Sequence, residues 1–141
     1  MGAATMAILL VEDDEFVCDV AVATLSTNGL DVTCVPSGEA AVALIGSGRT
    51  FDLLITDIQL PGRYDGYATA LEYRKLWPNM PVIYITASHR QQSPVVGSVY
   101  LRKPIKPALL MSVVGAFLPV KTEFRPPATS PERMGQGTYL N

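Results

Sequence analysis

Residues 51–62 of the chain read Phe-Asp-Leu-Leu-Ile-Thr-Asp-Ile-Gln-Leu-Pro-Gly. The apolar run stops at Asp57, and the Pro61-Gly62 pair that follows is typical of a turn. A continuous apolar run of this length is typical of a strand buried on both faces, as in a parallel sheet. A carboxylate at the carboxyl end of such a strand points into the crevice where open α/β sheets bind ligands. Asp57 is therefore the first candidate functional residue.

The chain around this stretch alternates between short apolar runs and segments with helical periodicity. Helices are predicted from about Phe16, after the N-cap residue Ser37, from about Tyr67 to Trp77, and around Leu109 to Leu118. The alternation predicts a parallel sheet with helices on both faces and right-handed crossovers. The predicted strands are Ala7–Val11, Asp31–Val35, Phe51–Thr56, Pro81–Thr86 and Ser98–Leu101.

Two segments lack this periodicity. The first, Ser88–Gly97, is polar and contains Pro94, so we expect a loop or a single irregular turn there instead of a full helix. The second, residues 119–141, is rich in Pro and Gly. We therefore expect one folded domain over residues 1–118 and a mobile C-terminal tail over residues 119–141.

The charge balance and hydropathy exclude several classes of function. The chain has 141 residues, with 11 Lys and Arg against 13 Asp and Glu, and a formal net charge of −2. Since the basic residues are scattered, we expect no binding to nucleic acid or to an anionic membrane. No apolar run approaches the roughly 20 residues that span a bilayer, and no signal peptide is evident. We expect a cytoplasmic protein in which Cys18 and Cys34 are free thiols.

Three other motifs follow predicted strands in the way that Asp57 does. Glu12 and Asp13 follow the first strand, Thr86 ends the fourth, and Lys103 follows the fifth. Carboxylates with a phosphate suit Mg²⁺, and an ammonium binds a phosphoryl oxygen as a point charge. The set therefore indicates chemistry that places a phosphoryl group on an aspartate.

These motifs, in this order, resemble the receiver domain of two-component response regulators. The resemblance covers about Ala7 to Leu118 and rests on residues 8–14, 52–62, 86–87 and 100–104, which read ILLVEDD, DLLITDIQLPG, TA and YLRKP. It implies a flavodoxin-like, doubly wound sheet of five parallel strands in the order 2-1-3-4-5. One extra residue at Arg63-Tyr64 and a short segment from Thr86 to Lys103 are similar to receivers with a reduced fourth helix, so we expect that helix to be short or absent.

The resemblance also implies a role for each matching residue. Asp57 would accept a phosphoryl group from a phosphohistidine, and Thr86 and Tyr100 would form the conformational switch. The Mg²⁺ ligands would come from Glu12, Asp13, Asp57 and the carbonyl of Gln59. The phosphoryl group would contact Thr86, Ala87 and Lys103.

The implied protein is a phosphoacceptor without enzymatic activity of its own beyond its phosphorylation and dephosphorylation. Its partners would be a histidine kinase or a histidine phosphotransfer protein, and its output a protein contact or phosphate relay by a monomer or weak homodimer. Three alternatives stay open at this point. The chain could be a receiver module of a hybrid histidine kinase, a degenerate receiver, or a phosphatase-like enzyme with an aspartyl-phosphate intermediate. The last needs a second Asp two residues after Asp57, where Gln59 stands.

Overall fold

A computed structural model describes residues 5–87, 93–119 and 124–127. Five strands and four α-helices alternate along this part of the chain, except that β5 follows β4 directly, and the second helix continues into a 3₁₀ turn, Leu44–Ser47. The strands are β1 (Ala7–Val11), β2 (Asp31–Val35), β3 (Leu53–Asp57), β4 (Val82–Thr86) and β5 (Val99–Arg102). The helices are α1 (Glu15–Thr27), α2 (Gly38–Ala43), α3 (Gly66–Leu76) and α4 (Pro107–Phe117).

The strands form a single parallel sheet in the order β2-β1-β3-β4-β5. The predicted fold is confirmed, including the strand order. Strands β1 and β2 have the predicted bounds, and the other three begin or end one or two residues later than expected. The later end of β3 places Asp57 inside the strand, as its last residue.

The two faces of the sheet carry separate apolar clusters, which explains the continuous apolar runs of the central strands. One face packs with α1 and α4 through residues such as Leu25, Leu110 and Val114. The other packs with α2 and α3 through residues such as Ala41 and Tyr73. All residues of β3 and β4 are buried, so these strands hold their carboxyl ends rigidly in place.

Side-chain caps set the start of three helices. Asp14 accepts hydrogen bonds from the backbone N–H groups of Phe16 and Val17, Ser37 from that of Ala40, and Asp65 from that of Ala68. Each cap has an extended backbone, as N-cap residues do. The predicted N-cap role of Ser37 is confirmed.

The connection from β4 to β5 is short. Residues 93–98 form no helix, and the first part of the predicted loop, Ser88 to Gln92, lies outside the described residues. Arg74 of α3 ties the described part in place, since its guanidinium donates to the carbonyl oxygens of Met80 and Val96, at 2.7 Å each.

The expectation of two free thiols is wrong in this structure, because Cys18 and Cys34 are joined in a disulfide. Their Cα atoms lie 6.6 Å apart, within the range that a disulfide bridges. The β1-α1-β2 crossover lays α1 beside β2, and this brings together two residues that are 16 positions apart in sequence. Neither the spacing of the two cysteines nor the composition of the chain predicts that contact.

Three residues of the C-terminal segment, Phe124, Arg125 and Pro127, contact the folded domain. Asn28 is buried, and its amide donates to the carbonyl oxygen of Arg125 at 2.9 Å and accepts from the Arg125 N–H at 3.0 Å. Phe124 packs against the apolar cluster under α1 and α4, and Pro127 is buried. Most of the predicted mobile tail lies outside the described residues, so its mobility stays a prediction.

Tyr73 provides a test of the packing between α2 and α3. Its fully buried hydroxyl donates to the carbonyl oxygen of Ala41 at 2.6 Å, and burial raises the pKa of Tyr73 to about 12. We expect Tyr73→Phe to lower the free energy of unfolding by about 1 kcal/mol, because the pair loses its hydrogen bond. Urea unfolding followed by circular dichroism measures this difference.

A control for this substitution is Leu71→Ala, which truncates a side chain on the exposed face of the same helix. That variant should unfold within about 0.5 kcal/mol of the unaltered protein. Equal stability of Tyr73→Phe and the unaltered protein would show that the hydrogen bond contributes nothing to the packing of α2 on α3.

Candidate functional site

The carboxyl ends of β1, β3 and β5 bring three charged side chains together. Glu12 follows β1, Asp57 ends β3, and Lys103 follows β5 by one residue. The Lys103 ammonium lies 2.9 Å from Asp57 Oδ2 and 3.1 Å from Glu12 Oε1. Because all strands are parallel, the three side chains converge at one edge of the sheet, as the sequence predicts.

The carboxylates of Glu12, Asp13 and Asp57 form a compact cluster in which one oxygen atom from each residue lies within 4.8 Å of the other two. Glu12 and Asp57 are buried, whereas Asp13 is exposed. Asp14, the last acid of the run, does not join the cluster, because its side chain caps α1. The acidic run therefore divides into site residues and a helix cap.

Burial of Glu12 has an electrostatic consequence. Desolvation raises the pKa of Glu12 above its ordinary value and the negative charge of Asp57 adds to this, while a hydrogen bond from the Asp14 N–H and the Lys103 ammonium partly offset it. Burial lowers the pKa of Lys103, but its hydrogen bond to Asp57 and its ion pairs with Asp57 and Glu12 outweigh that effect and leave the pKa raised. The ammonium and the carboxylates therefore hold one another in place.

The loop after β3 is folded closely around Asp57. The backbone N–H of Gln59 donates to Asp57 Oδ1 at 3.2 Å, while the Gln59 side chain is exposed. Gly66 opens α3 directly against this loop, and a Cβ atom at Gly66 would come within 2.2 Å of the Asp57 carbonyl oxygen. A glycine is therefore required where α3 passes the end of β3.

The end of β4 forms the remaining wall. Thr86 is buried, and its carbonyl oxygen accepts a hydrogen bond from the Lys103 N–H at 2.8 Å, while Ala87 is exposed. The Lys103–Pro104 peptide bond is cis. The structure thus places every predicted side chain of the phosphoryl site at or beside the same strand ends.

Tyr100 belongs to a cluster of tyrosines that the sequence analysis did not identify. Its hydroxyl lies 3.1 Å from that of Tyr67 on α3, and its ring lies against Tyr84 of β4, with 5.2 Å between the centroids. Burial and the hydrogen bond with Tyr67 raise the pKa of Tyr100 above its ordinary value. No spacing in the sequence signals this cluster, because it forms between three separate elements.

The carboxylate cluster fits a hard divalent cation. Mg²⁺ binds oxygen ligands, commonly one or two carboxylates with a phosphate and waters. Glu12 Oε1 is buried and faces Lys103, yet among the described residues it accepts no hydrogen bond of good geometry. A partly unsatisfied buried oxygen beside an exposed carboxylate leaves capacity for a cation.

The comparison with known families then identifies the domain. The sequence profile of the response regulator receiver domain matches residues 8–115. The chain belongs to the response regulator receiver domain family. Receiver domains of this family serve two-component signalling, and they are generally signalling modules and not enzymes.

Individual relatives agree with this assignment. An uncharacterized transcriptional regulatory protein of Bacillus subtilis is 32% identical over 108 residues, which are 74% of this chain and 47% of the relative. The chain thus spans about half the length of that curated relative. None of the helices in the described ranges is both long and apolar enough to cross a membrane.

Solved structures show the same fold. A response regulator receiver protein from Sinorhizobium medicae is 33% identical, with a TM-score of 0.73 over 80% of this chain and 94% of that one. The receiver domain of a sensor histidine kinase from Pseudomonas aeruginosa is 32% identical, with a TM-score of 0.70 over 81% of this chain and 98% of that one. The latter structure has a magnesium ion coordinated in its active-site cleft.

The ion pairs of Lys103 provide a test of the receiver site. Lys103→Met leaves Glu12 and Asp57 as buried carboxylates without their cation, so we expect a loss of about 3 kcal/mol of unfolding free energy near pH 7 in EDTA. The loss should shrink near pH 5, because the raised pKa of Glu12 lets the folded state bind a proton before the unfolded state does. Urea unfolding at the two pH values measures both effects.

The matched control is Lys106→Met, which makes the same substitution at an exposed position three residues later. Its stability should stay within about 0.5 kcal/mol of the unaltered protein at both pH values. A Lys103→Met loss that does not depend on pH would contradict the assignment of the effect to the buried carboxylates.

Proposed function

We propose that this receiver domain is a phosphoacceptor of a two-component system, phosphorylated on Asp57. The phosphoryl group comes from the phosphohistidine of a histidine kinase or a histidine phosphotransfer protein, with Mg²⁺ as cofactor. The observation that carries the proposal is the position of Asp57, a buried carboxylate with an ammonium on one side and further carboxylates on the other. That arrangement combines a nucleophile with the groups that compensate phosphoryl charge.

In the proposed reaction, an oxygen of the Asp57 carboxylate attacks the phosphorus atom. The bond between phosphorus and the imidazole nitrogen breaks, an aspartyl phosphate forms, and the histidine side chain keeps the electron pair. The Lys103 ammonium, which contacts Asp57 Oδ2 in this structure, moves to the oxygen atoms of the incoming phosphoryl group. Loss of its old contact and gain of the new one leave its charge paired throughout the transfer.

Glu12, Asp13, Asp57 and the carbonyl of Gln59 would hold Mg²⁺, which supplies charge neutralisation at the phosphoryl oxygens when bound. Glu12 and Asp57 lie in fixed positions at the strand ends, and Asp13 completes the set from the surface. The roles proposed for Thr86 and the Ala87 backbone are contacts with the phosphoryl group, since both lie where β4 ends.

The conformational response would pass from Thr86 to Tyr100. Thr86 and Tyr100 lie on neighbouring strands, and the Tyr100 hydroxyl is bonded to that of Tyr67. Movement of Thr86 toward a phosphoryl oxygen would free space for the Tyr100 ring and change its contact with α3. A charge-triggered change at the site would thereby reach the surface formed by α3 and β5.

The output of this switch would be a protein contact or a phosphate relay in the cytoplasm, by a monomer or weak homodimer without nucleic-acid binding. The folded unit would be residues 1–118, with residues 119–141 as a mobile tail. A receiver module of a hybrid histidine kinase is the second candidate, and the similarity to the receiver domain of a sensor histidine kinase favours it. Both candidates share the same chemistry at Asp57.

Phosphorylation of Asp57 is tested by intact-mass analysis after incubation with a small phosphodonor, such as acetyl phosphate, and Mg²⁺. We expect a single phosphoryl adduct, which is absent in Asp57→Asn and when EDTA removes the metal. The matched control is Asp52→Asn at the other end of the β3 segment, which should still form the adduct. An adduct that persists in Asp57→Asn would place the phosphoryl group elsewhere.

The metal site is tested by two neighbouring substitutions. Asp13→Asn removes a charge from the carboxylate cluster, so we expect Mg²⁺ affinity to fall at least about tenfold, as measured by isothermal titration calorimetry. Asp14→Asn keeps an amide oxygen that still caps α1, and its Mg²⁺ affinity should stay within about twofold of the unaltered protein. Equal losses of Mg²⁺ affinity in the two variants would mean that Mg²⁺ responds only to the total negative charge of the acidic run and not to Asp13 as a ligand.

A further inference from the structure

The disulfide lies in the wall of a solvent-facing pocket. Cys18 and Cys34 line a pocket of about 300 Å³ together with Glu12 and Asp13, two members of the carboxylate cluster. Both cysteines are partly buried, because they pack against the edge of the apolar cluster under α1 and face the pocket on their other side. Small molecules that enter this pocket therefore meet both the sulfur atoms and the edge of the metal site.

The bond also ties together the two segments that position Glu12 and Asp13. The N–H of Cys18 donates to the carbonyl oxygen of Asp14 at 3.0 Å, which links the cysteine to the turn that opens α1. Cys34 directly precedes Val35, whose carbonyl oxygen accepts from the N–H of Glu12 at 3.0 Å. The disulfide thus closes a ring around the corner between β1 and α1, where the acidic residues stand.

A disulfide at this position favours a redox role in the cytoplasmic receiver proposed above. Disulfides that occur in the reducing cytosol are mostly transient and catalytic or redox-sensing, because thiol reductants remove structural ones. An accessible, pocket-lining pair can exchange with such reductants, whereas a bridge in the apolar core is protected from them.

We propose that Cys18 and Cys34 form a reversible thiol–disulfide site whose oxidation state sets the Mg²⁺ affinity of the Glu12–Asp13–Asp57 cluster. This proposal rests on the proposed function for both the cytoplasmic location and the Mg²⁺ site. The closed ring restricts the corner that carries Glu12 and Asp13, so the oxidised form loses less conformational freedom on binding the cation. The oxidised form therefore binds Mg²⁺ more tightly.

The redox step exchanges one disulfide for another. A thiolate of the pair attacks a small-molecule disulfide, forms a mixed disulfide and releases one small thiol. The second cysteine then attacks its partner, which closes the Cys18–Cys34 bond and releases the second small thiol. Two electrons and two protons pass from the cysteine thiols to the small disulfide, and a small dithiol reverses both steps.

The charge of the pocket selects among such reagents. Four carboxylates line it, those of Glu12, Asp13, Glu15 and Asp19. A cationic disulfide is attracted by this field and an anionic one is repelled. We expect cystamine to oxidise the reduced protein about tenfold faster than dithiodipropionate does. Each rate is divided by the rate at which the same disulfide oxidises 2-mercaptoethanol, a neutral thiol. The ratio of the two normalised rates should fall in high salt.

The experiment compares the full chain in its oxidised form, its reduced form and as the Cys18→Ser/Cys34→Ser variant. Intact mass with and without thiol alkylation gives the oxidation state, and calorimetry gives the Mg²⁺ affinity. We expect the oxidised protein to bind Mg²⁺ about fivefold more tightly than the reduced protein. The serine variant should bind like the reduced protein, and its affinity should not respond to oxidant or reductant.

Thermodynamic linkage supplies a second readout that needs no variant. If the disulfide favours Mg²⁺, then Mg²⁺ must favour the disulfide by the same factor. The thiol–disulfide equilibrium constant of the unaltered protein, measured in a cystamine–cysteamine buffer, should rise about fivefold at saturating Mg²⁺. Asp13→Asn should keep the disulfide equilibrium but lose most of its response to Mg²⁺.

Three results would overturn the proposal, and they differ in what else they affect. Failure of the cysteines to form a disulfide reversibly removes the redox site and leaves the receiver function standing. Equal Mg²⁺ affinity of the oxidised and reduced protein removes the coupling alone. Absence of Mg²⁺ binding in both forms removes the coupling together with the proposed function.

Discussion

The Lys103 ammonium between two buried carboxylates is the interaction on which the site depends. Glu12 and Asp57 approach each other because β1 and β3 are adjacent in the sheet, and without a cation their charges would repel. The parallel order of the strands makes this crowding unavoidable, and Lys103 reaches it from two strands away. The backbone N–H of Lys103 donates to the carbonyl oxygen of Thr86, and this hydrogen bond holds the Lys103 backbone beside the end of β4.

A site whose charges are balanced by a side chain that can change its ion-pair partners is suited to a switch. In the proposed function, the same carboxylates that pair with Lys103 in this structure become oxygen ligands of a metal, and the same ammonium pairs with a phosphoryl group. The tyrosine cluster of Tyr67, Tyr84 and Tyr100 continues from this point toward α3. The short connection between β4 and β5 leaves an apolar pocket of about 580 Å³ beside it, lined by residues of α3 and of 93–96. The carboxylate cluster and this surface pocket are therefore separated by only a few side chains.

The opposite side of the site has a different character. There the corner between β1 and α1 is braced by backbone hydrogen bonds to Val35 and Asp14 and by the Cys18–Cys34 bond. One flank of the carboxylate cluster is thus aromatic, whereas the other is acidic and cross-linked. The two proposals made above use these two flanks: the conformational switch acts through β5, and the redox site acts through β2.

The sequence by itself determined the parallel sheet and the residues at the strand ends, because buried parallel strands must be continuous apolar runs and their ends must carry the polar groups. The order of the strands followed from the resemblance to receiver domains and not from the apolar pattern. The structure decided how the acidic run divides, because it places the Asp14 side chain on the N–H groups of Phe16 and Val17 as the cap of α1. Only the tertiary structure decided the contacts between elements that are far apart in sequence. Cys18 with Cys34, Tyr67 with Tyr100, and Asn28 with Arg125 meet because helices pack on particular strands. Such pairings leave no periodicity in a single sequence, since they arise from distances that exist only after the chain has folded.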